Sequence, residues 1–137
     1  MASGCKEETI SSISKWAWHS GIIFQITDDI LDLSSDEKTL GKPSGNDIIE
    51  GTYTLPVLIA LEKYPEKINK ILLDVSENRV GVNEIISEFN NDEIISESKL
   101  FLKTHLEKSE SAAMEIDNKI VKNILLDINR YLIERSN

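Results

Sequence analysis

The stretch that decides how this chain folds is Gly21–Asp32, which reads GIIFQITDDILD. It belongs to a longer segment, from about residue 8 to residue 33, in which apolar residues recur every three to four positions, and this period predicts one amphipathic helix. At roughly 100° per residue, the isoleucines of the stretch lie on one broad side of the helix. Gln25, Asp28 and Asp32 lie on the other side, so three polar groups share one face.

Helical periodicity continues through the rest of the chain. Thr54 is expected to cap a helix that has Pro56 in its first turn. The turn-rich segment Ser34–Gly51 is the one long connection. No segment alternates apolar and polar residues for long enough to indicate a strand. Helices are predicted over residues 8–33, 54–64, 65–73, 82–89, 92–116 and 120–133. The sequence therefore predicts an all-α fold, and 1–137 is taken as a single domain.

Composition and charge exclude several classes of protein. The net charge of −9 argues against a nucleic-acid-binding protein, because such proteins carry a basic surface. The one cysteine, Cys5, rules out an internal disulfide and fits a reducing compartment. The chain has no apolar run of about 18 residues, so no transmembrane segment is expected, and the polar start does not resemble a secretory signal. A cytoplasmic location is predicted.

The acidic turn carries the main chemical signal. Asp28, Asp29 and Asp32 place three carboxylates within one helical turn, where they repel one another unless a cation neutralises them. Mg²⁺ prefers oxygen ligands and shares them with substrate phosphates, so the turn is a candidate magnesium site. Acidic triplets on solvated helix faces are also common, and the spacing alone does not separate the two interpretations.

Neighbouring residues favour the magnesium interpretation. Phe24 and Gln25 lie one turn before the acids, and a large aromatic beside a polar stripe indicates the wall of a cavity. Lys42 lies in a glycine-rich loop and could neutralise a diphosphate as a point charge, although a solvated lysine would look the same in sequence. His19 and His105 are far apart in the sequence and indicate no catalytic pair.

Three blocks of this sequence together resemble the polyprenyl diphosphate synthases. The blocks are GIIFQITDDILD at 21–32, GKPSGNDI at 41–48 and GTYTLP at 51–56, and their order and spacing agree with that family. The end of the chain, with Ala112-Ala113 and Tyr131–Arg135, is similar to its closing helices. The resemblance implies that the chain is the C-terminal half of the isoprenoid-synthase helical bundle and carries the second aspartate-rich motif.

The resemblance also implies roles for individual residues. Asp28, Asp29 and Asp32 would bind Mg²⁺, with Asp28 and Asp32 as the main ligands. Lys42 would contact an allylic diphosphate, and Phe24 and Gln25 would border its reacting end. The intact enzyme would condense the allylic diphosphate with isopentenyl diphosphate, which makes it a prenyltransferase that requires Mg²⁺. Members of the family commonly dimerise, so a homo- or hetero-oligomer is expected.

Two elements of the family pattern are missing from these 137 residues. The family's first aspartate-rich motif is absent, because Asp28–Asp32 is the one Asp-Asp-x-x-Asp pattern in the sequence. The basic Gly-Lys-x-x-Arg-Pro segment expected to bind isopentenyl diphosphate is absent too. The chain is therefore predicted to be the C-terminal portion of such a synthase, inactive by itself. Three alternatives remain: a subunit that completes its cavity with a partner chain, a non-catalytic helical interaction protein, and a relative that prenylates peptides.

Overall fold

The computed structural model describes residues 6–33 and 45–135, and these residues form seven helices and no strand. Their bounds are α1 Glu7–Asp32, α2 Asn46–Ile49, α3 Leu55–Lys63, α4 Pro65–Ser76, α5 Val82–Phe89, α6 Asp92–Met114 and α7 Lys119–Glu134. The all-α prediction is confirmed. Among the described residues, no helix is both long and apolar enough to cross a membrane.

The predicted helices agree closely with the observed ones. The first helix was expected over 8–33 and forms over Glu7–Asp32, and the helix expected over 82–89 forms over Val82–Phe89. Period alone did not reveal α2, a single turn that follows Gly45. The φ of Gly45 is 72°, in the left-handed region that glycine occupies without strain. The segment 34–44 of the predicted long connection lies outside the described residues.

Local chemistry explains where helices begin. Asn118 caps α7, because its side-chain oxygen accepts hydrogen bonds from the backbone N–H groups of Ile120 and Val121. Thr54 does occupy the N-cap position of α3, with Pro56 in the first turn, as predicted. Its hydroxyl, however, makes no capping hydrogen bond, so the start of α3 is stabilised by another group.

Two compact units divide the chain. Unit 1 comprises residues 1–27 and 101–137, and unit 2 comprises residues 28–100. In unit 1, Ala113, Ile116 and Leu125 form a small apolar cluster, against which Trp16 packs. A polar cluster is also buried there. The Ser20 hydroxyl donates to the side-chain amide oxygen of Asn129, Oδ1 (2.7 Å), and lies 2.8 Å from the Ser109 hydroxyl.

Unit 2 is organised around a larger apolar core. Its buried members come from the end of α1 and from α2 to α6, and they are Leu33, Ile48, Val57, Ile59, Ala60, Ile68, Ile85, Phe89 and Ile94. Phe89 is fully buried and is the largest of these side chains. On the surface, the Lys63 ammonium pairs with Glu93 (3.2 Å) and Glu97 (2.8 Å). The core therefore gathers five short or partial helices around the end of α1.

Candidate functional site

The three acids at the end of α1 differ in burial. Asp29 is 5% exposed and Asp32 is 1% exposed, whereas Asp28 is half-buried. Asp32 was predicted to lie opposite the apolar side of the helix, and in the structure it is nonetheless almost fully buried. A carboxylate that is almost fully buried needs hydrogen-bond donors, because water is not available to solvate it.

Backbone amides supply such donors. One oxygen of Asp29, Oδ2, accepts a hydrogen bond from the N–H of Leu55 at 2.9 Å. The corresponding oxygen of Asp32 accepts one from the N–H of Asp47 at 3.2 Å. Both donors lie in the first turn of a helix, Leu55 in α3 and Asp47 in α2. Asp29 therefore supports the start of α3, where the Thr54 hydroxyl makes no capping bond.

This arrangement explains why acidic residues stand at the end of a helix. The carboxyl end of α1 carries a partial negative charge, so acids placed there are unfavourable with respect to α1 itself. Asp29 and Asp32 instead face the amino-terminal turns of α3 and α2, where N–H groups point outward and negative charge is favourable. Two of the three predicted ligands thus have an evident structural role.

The fit of Mg²⁺ to this turn depends mainly on Asp28. Within residues 6–33 and 45–135, no three His, Cys, Asp or Glu side chains form a group that could hold a metal ion. Magnesium commonly uses only one or two protein carboxylates and takes its remaining ligands from water and substrate phosphates. Asp28, the most exposed of the three acids, fits that mode. Asp29 and Asp32 each commit one oxygen to a backbone amide.

The predicted substrate-binding residues are only partly described. Phe24 is 46% exposed, and Gln25 is also exposed. The guanidinium carbon of Arg135 lies 5.2 Å from the centroid of the Phe24 ring, which is a cation–π distance. Sequence reasoning missed this contact. Lys42, the predicted diphosphate contact, lies outside the described residues.

A histidine pair was also missed. The Nδ1 atoms of His19 and His105 lie 3.0 Å apart, so one ring donates a hydrogen bond and the other accepts it. Burial lowers the pKa of both histidines, and the charge of Lys108 adds to the effect. Proximity to His19 lowers the pKa of His105 further. The residues are 86 positions apart, and no local pattern predicts that they meet.

The all-helical fold and the acidic end of α1 agree with the family that the sequence resembles. The family model described as polyprenyl synthetase matches residues 1–89. The chain therefore belongs to the polyprenyl synthetase family.

Individual relatives match all or part of the same region, and one of them nearly the whole chain. It is 30% identical over 135 residues to heptaprenyl diphosphate synthase component 2 of Bacillus subtilis, a match that covers 98% of this chain and 39% of that protein. It is 43% identical over 84 residues to a short chain isoprenyl diphosphate synthase of Methanocaldococcus jannaschii, which covers 61% of this chain and 26% of that one.

A solved structure extends the similarity to the fold. The crystal structure of heptaprenyl diphosphate synthase from Staphylococcus aureus matches with a TM-score of 0.80 and 29% identity. The match covers 96% of this chain and 42% of that protein. The chain thus spans well under half the length of the relatives it matches, and the helical synthase fold that was predicted is confirmed for the spanned part.

Proposed function

We propose that this chain contributes the second aspartate-rich wall of a magnesium-dependent prenyl diphosphate synthase. In the complete assembly, an allylic diphosphate would be condensed with isopentenyl diphosphate, in the cytoplasm. Family membership supports the reaction class, and the different environments of the three acids support the assignment of the site.

The observation that carries the proposal is that the three acids of the turn differ in burial and in hydrogen bonding. Asp29 and Asp32 bind the backbone of α3 and α2, and this fixes the end of α1 in position. Asp28 is more exposed on the same turn. A carboxylate on a firmly held helix end is well suited to bind a diphosphate-bound cation, because the helix end loses little conformational freedom on binding.

We assign the remaining roles from the same proposal. Asp28 would be the principal Mg²⁺ ligand, and Asp29 and Asp32 would act mainly by holding it in position, each with one carboxylate oxygen directed elsewhere. When bound, magnesium would neutralise the diphosphate and act as a Lewis acid on its oxygens. Phe24 and Gln25 would border the allylic end, and Lys42 would contact the diphosphate as a cation.

The chain is proposed to be inactive by itself. Its residues contain one aspartate-rich motif, and it spans 39% and 42% of two heptaprenyl synthases that it matches. A synthase cavity needs walls on both sides of the diphosphates to exclude water from the ionised substrate. The Bacillus subtilis relative is named component 2 of heptaprenyl diphosphate synthase, and this name supports the alternative of a subunit that acts with a partner.

A direct binding measurement tests the site. Farnesyl diphosphate is titrated calorimetrically into the purified chain with and without Mg²⁺. We expect binding that requires Mg²⁺ and that Asp28→Asn weakens about tenfold or more, the scale at which perturbed metal sites lose affinity. Asp117→Asn is the control, because it removes the same charge from an exposed position outside the acidic turn. Equal binding, or equal absence of binding, in wild type and Asp28→Asn would refute the assignment.

A second measurement separates the alternatives. The chain is incubated with Mg²⁺, farnesyl diphosphate and isopentenyl diphosphate, alone and with a polypeptide that supplies the rest of a synthase. Activity of the chain alone contradicts the claim of inactivity. Activity only in the mixture, lost in Asp28→Asn, supports the catalytic proposal. Binding of the polypeptide without any activity supports a non-catalytic subunit, and transfer of farnesyl to a cysteine peptide would support the peptide-prenylating alternative.

A further inference from the structure

Two histidines meet between the long helices of unit 1. His19 lies on α1 and His105 lies on α6, and their Nδ1 atoms are 3.0 Å apart. The ring centroids are 5.1 Å apart and the ring planes are inclined by 48°, so the rings meet at their edges and do not stack face to face. Both side chains are partly exposed, so the pair is not sealed from solvent.

Neighbouring contacts hold the two helices in this register. The Ser20 hydroxyl lies 2.8 Å from that of Ser109, one residue after the first histidine and one turn after the second. Nearer the start of α1, the Ser12 hydroxyl donates to the Glu115 carboxylate at 2.8 Å. The imidazoles are thus brought together by contacts that do not depend on them. A ligand that binds both rings therefore does not have to order the helices first, which lowers the cost of binding.

The geometry of the pair is close to that of two ligands on one metal ion. Neutral imidazole nitrogens bind zinc, copper and nickel ions well, whereas magnesium prefers oxygen ligands. In a tetrahedral zinc site the Zn–N distance is about 2.0 to 2.1 Å, which sets two ligand nitrogens about 3.4 Å apart. The observed nitrogen separation of 3.0 Å is only slightly shorter. A small rotation of the two rings is therefore enough to admit an ion between them.

We propose that His19 and His105 form a binding site for a divalent metal ion of the zinc class, and that the bound ion joins α1 to α6. The ion binds the Nδ1 atom of each ring, and water fills its remaining positions. The proton of the donating Nδ1 passes through solvent to the Nε2 of the same ring, so both rings stay neutral and no proton is released overall. The site uses no residue of the acidic turn and does not rest on the proposed function.

The charge of Lys108 acts on this site in two opposite ways. Burial mainly, and the Lys108 charge in addition, lower the pKa of both histidines. A metal ion requires neutral imidazoles, so the pair is in the binding form at pH 7.5. The same ammonium group repels a dication. Removal of its charge in Lys108→Gln should therefore strengthen metal binding, because the rings are already neutral at that pH.

The test is a calorimetric titration of Zn²⁺ into the untagged chain at pH 7.5. We expect one ion per chain at this site. The affinity should fall about tenfold or more in His19→Asn and in His105→Asn, since even substitutions next to metal ligands cost about 10- to 100-fold. Glu107→Gln is the control, because it removes a carboxylate from an exposed position of α6 and leaves both rings in place. It should bind Zn²⁺ nearly like wild type, and Lys108→Gln should bind Zn²⁺ more tightly.

Nuclear magnetic resonance on the wild-type chain keeps the test decisive if the histidine variants do not fold. The sequence contains two histidines, so the imidazole nitrogens give only two sets of ¹⁵N signals. Zn²⁺ should shift the Nδ1 signals of both rings together and leave both Nε2 atoms protonated. The melting temperature of wild type should also rise by a few degrees with Zn²⁺, because an ion that binds the folded form stabilises it. Mg²⁺ should produce neither shift in the histidine signals.

Several results would overturn the proposal. The first is an absence of Zn²⁺ binding, or equal binding in wild type and both histidine variants, which would place any bound ion on carboxylates. The second is binding that Cys5→Ser abolishes, since zinc also binds thiolates. The third is a Zn²⁺-induced shift at one imidazole only. The last is a Zn²⁺-dependent dimer in sedimentation equilibrium, because the ion would then join two chains instead of two helices of one chain.

Discussion

In unit 1 the long helices meet through buried side-chain hydrogen bonds, whereas in unit 2 short helices gather around an apolar core. Ser20, Ser109 and Asn129 exchange hydrogen bonds of 2.7 to 3.2 Å in unit 1. The core of unit 2 is apolar, and its carboxylates Asp29 and Asp32 bond to backbone amides instead. Unit 1 thus combines a small apolar cluster with a buried polar one, while unit 2 combines a larger apolar core with two carboxylate–backbone contacts.

This difference has consequences for how each unit responds to substitution. Apolar packing loses free energy in proportion to the volume removed, and neighbouring side chains can partly fill the space. A buried polar cluster has no such tolerance, because an unpaired donor or acceptor cannot reach water. Four predictions test the comparison, in order of decreasing effect.

The largest effect is expected in the core of unit 2. Phe89→Ala removes a fully buried ring and should lower the free energy of unfolding by about 3 to 5 kcal/mol. Urea unfolding followed by circular dichroism measures the loss. Phe101→Ala is the control, because Phe101 is 45% exposed and should cost much less. Equal losses for the two variants would show that the apolar core does not dominate unit 2.

The polar cluster of unit 1 should be less costly to break. Asn129→Ala leaves the Ser20 and Ser109 hydroxyls without their shared partner and should cost about 2 to 3 kcal/mol. Trp16 packs against the apolar cluster of unit 1, so tryptophan fluorescence during urea unfolding follows this unit. Asn123→Ala, at an exposed position of the same helix, should change stability by about 0.5 kcal/mol or less. An Asn129→Ala loss no larger than that would contradict the importance of the cluster.

Substitutions at two positions of the acidic turn should affect different properties, Asp32→Asn mainly the stability of the protein and Asp28→Asn mainly its binding of diphosphate. Asp32→Asn weakens the bond to the N–H of Asp47 and should cost about 1.5 kcal/mol, since bonds to charged groups are worth somewhat more than neutral ones. Asp28→Asn should cost less stability but weaken magnesium-dependent diphosphate binding about tenfold or more. Denaturant unfolding and calorimetry on the same two proteins make the comparison. The reverse pattern would assign the structural role to Asp28.

The smallest effect concerns pH. Burial lowers the pKa of His19 and His105 below the ordinary value of 6.5 in the folded protein. The unfolded chain therefore takes up protons first as pH falls, so the stability from the neutral pair is present above about pH 6.5 and is lost as pH falls through the lowered values. We expect the free energy of unfolding of wild type to fall more between pH 7.5 and pH 5 than that of His105→Asn. Parallel curves for the two proteins would contradict a titrating pair.

Much of the fold could be predicted from the sequence because its signals are local. The apolar period of α1 and the prolines and glycines between helices act over a few residues, and the bounds of α1, α3 and α5 were predicted to within about two residues. The identity of the family could also be predicted, since three blocks around the acidic turn carry it. The magnesium and substrate roles of the site residues remain predictions.

The partners of individual side chains could not be predicted, because they depend on distant parts of the chain. Asp29 meets Leu55 across 26 positions, and His19 meets His105 across 86. The acids are an example: their position at the end of α1 predicted metal ligands, and the structure adds that Asp29 and Asp32 each bond to the start of another helix. A sequence pattern shows which polar groups are present, and the tertiary fold determines which of them already form hydrogen bonds within the protein.

The contacts at the end of α1 also bear on hydrogen exchange. The backbone N–H of Gly45 donates to the carbonyl oxygen of Asp32 at 2.6 Å, and the Asn90 side chain donates to the Leu33 carbonyl oxygen at 3.1 Å. The end of α1 is thus held both by the residue before α2 and by the residue after α5. Local opening there must break both contacts, so the Gly45 amide should exchange its hydrogen more slowly than an amide at a frayed helix end.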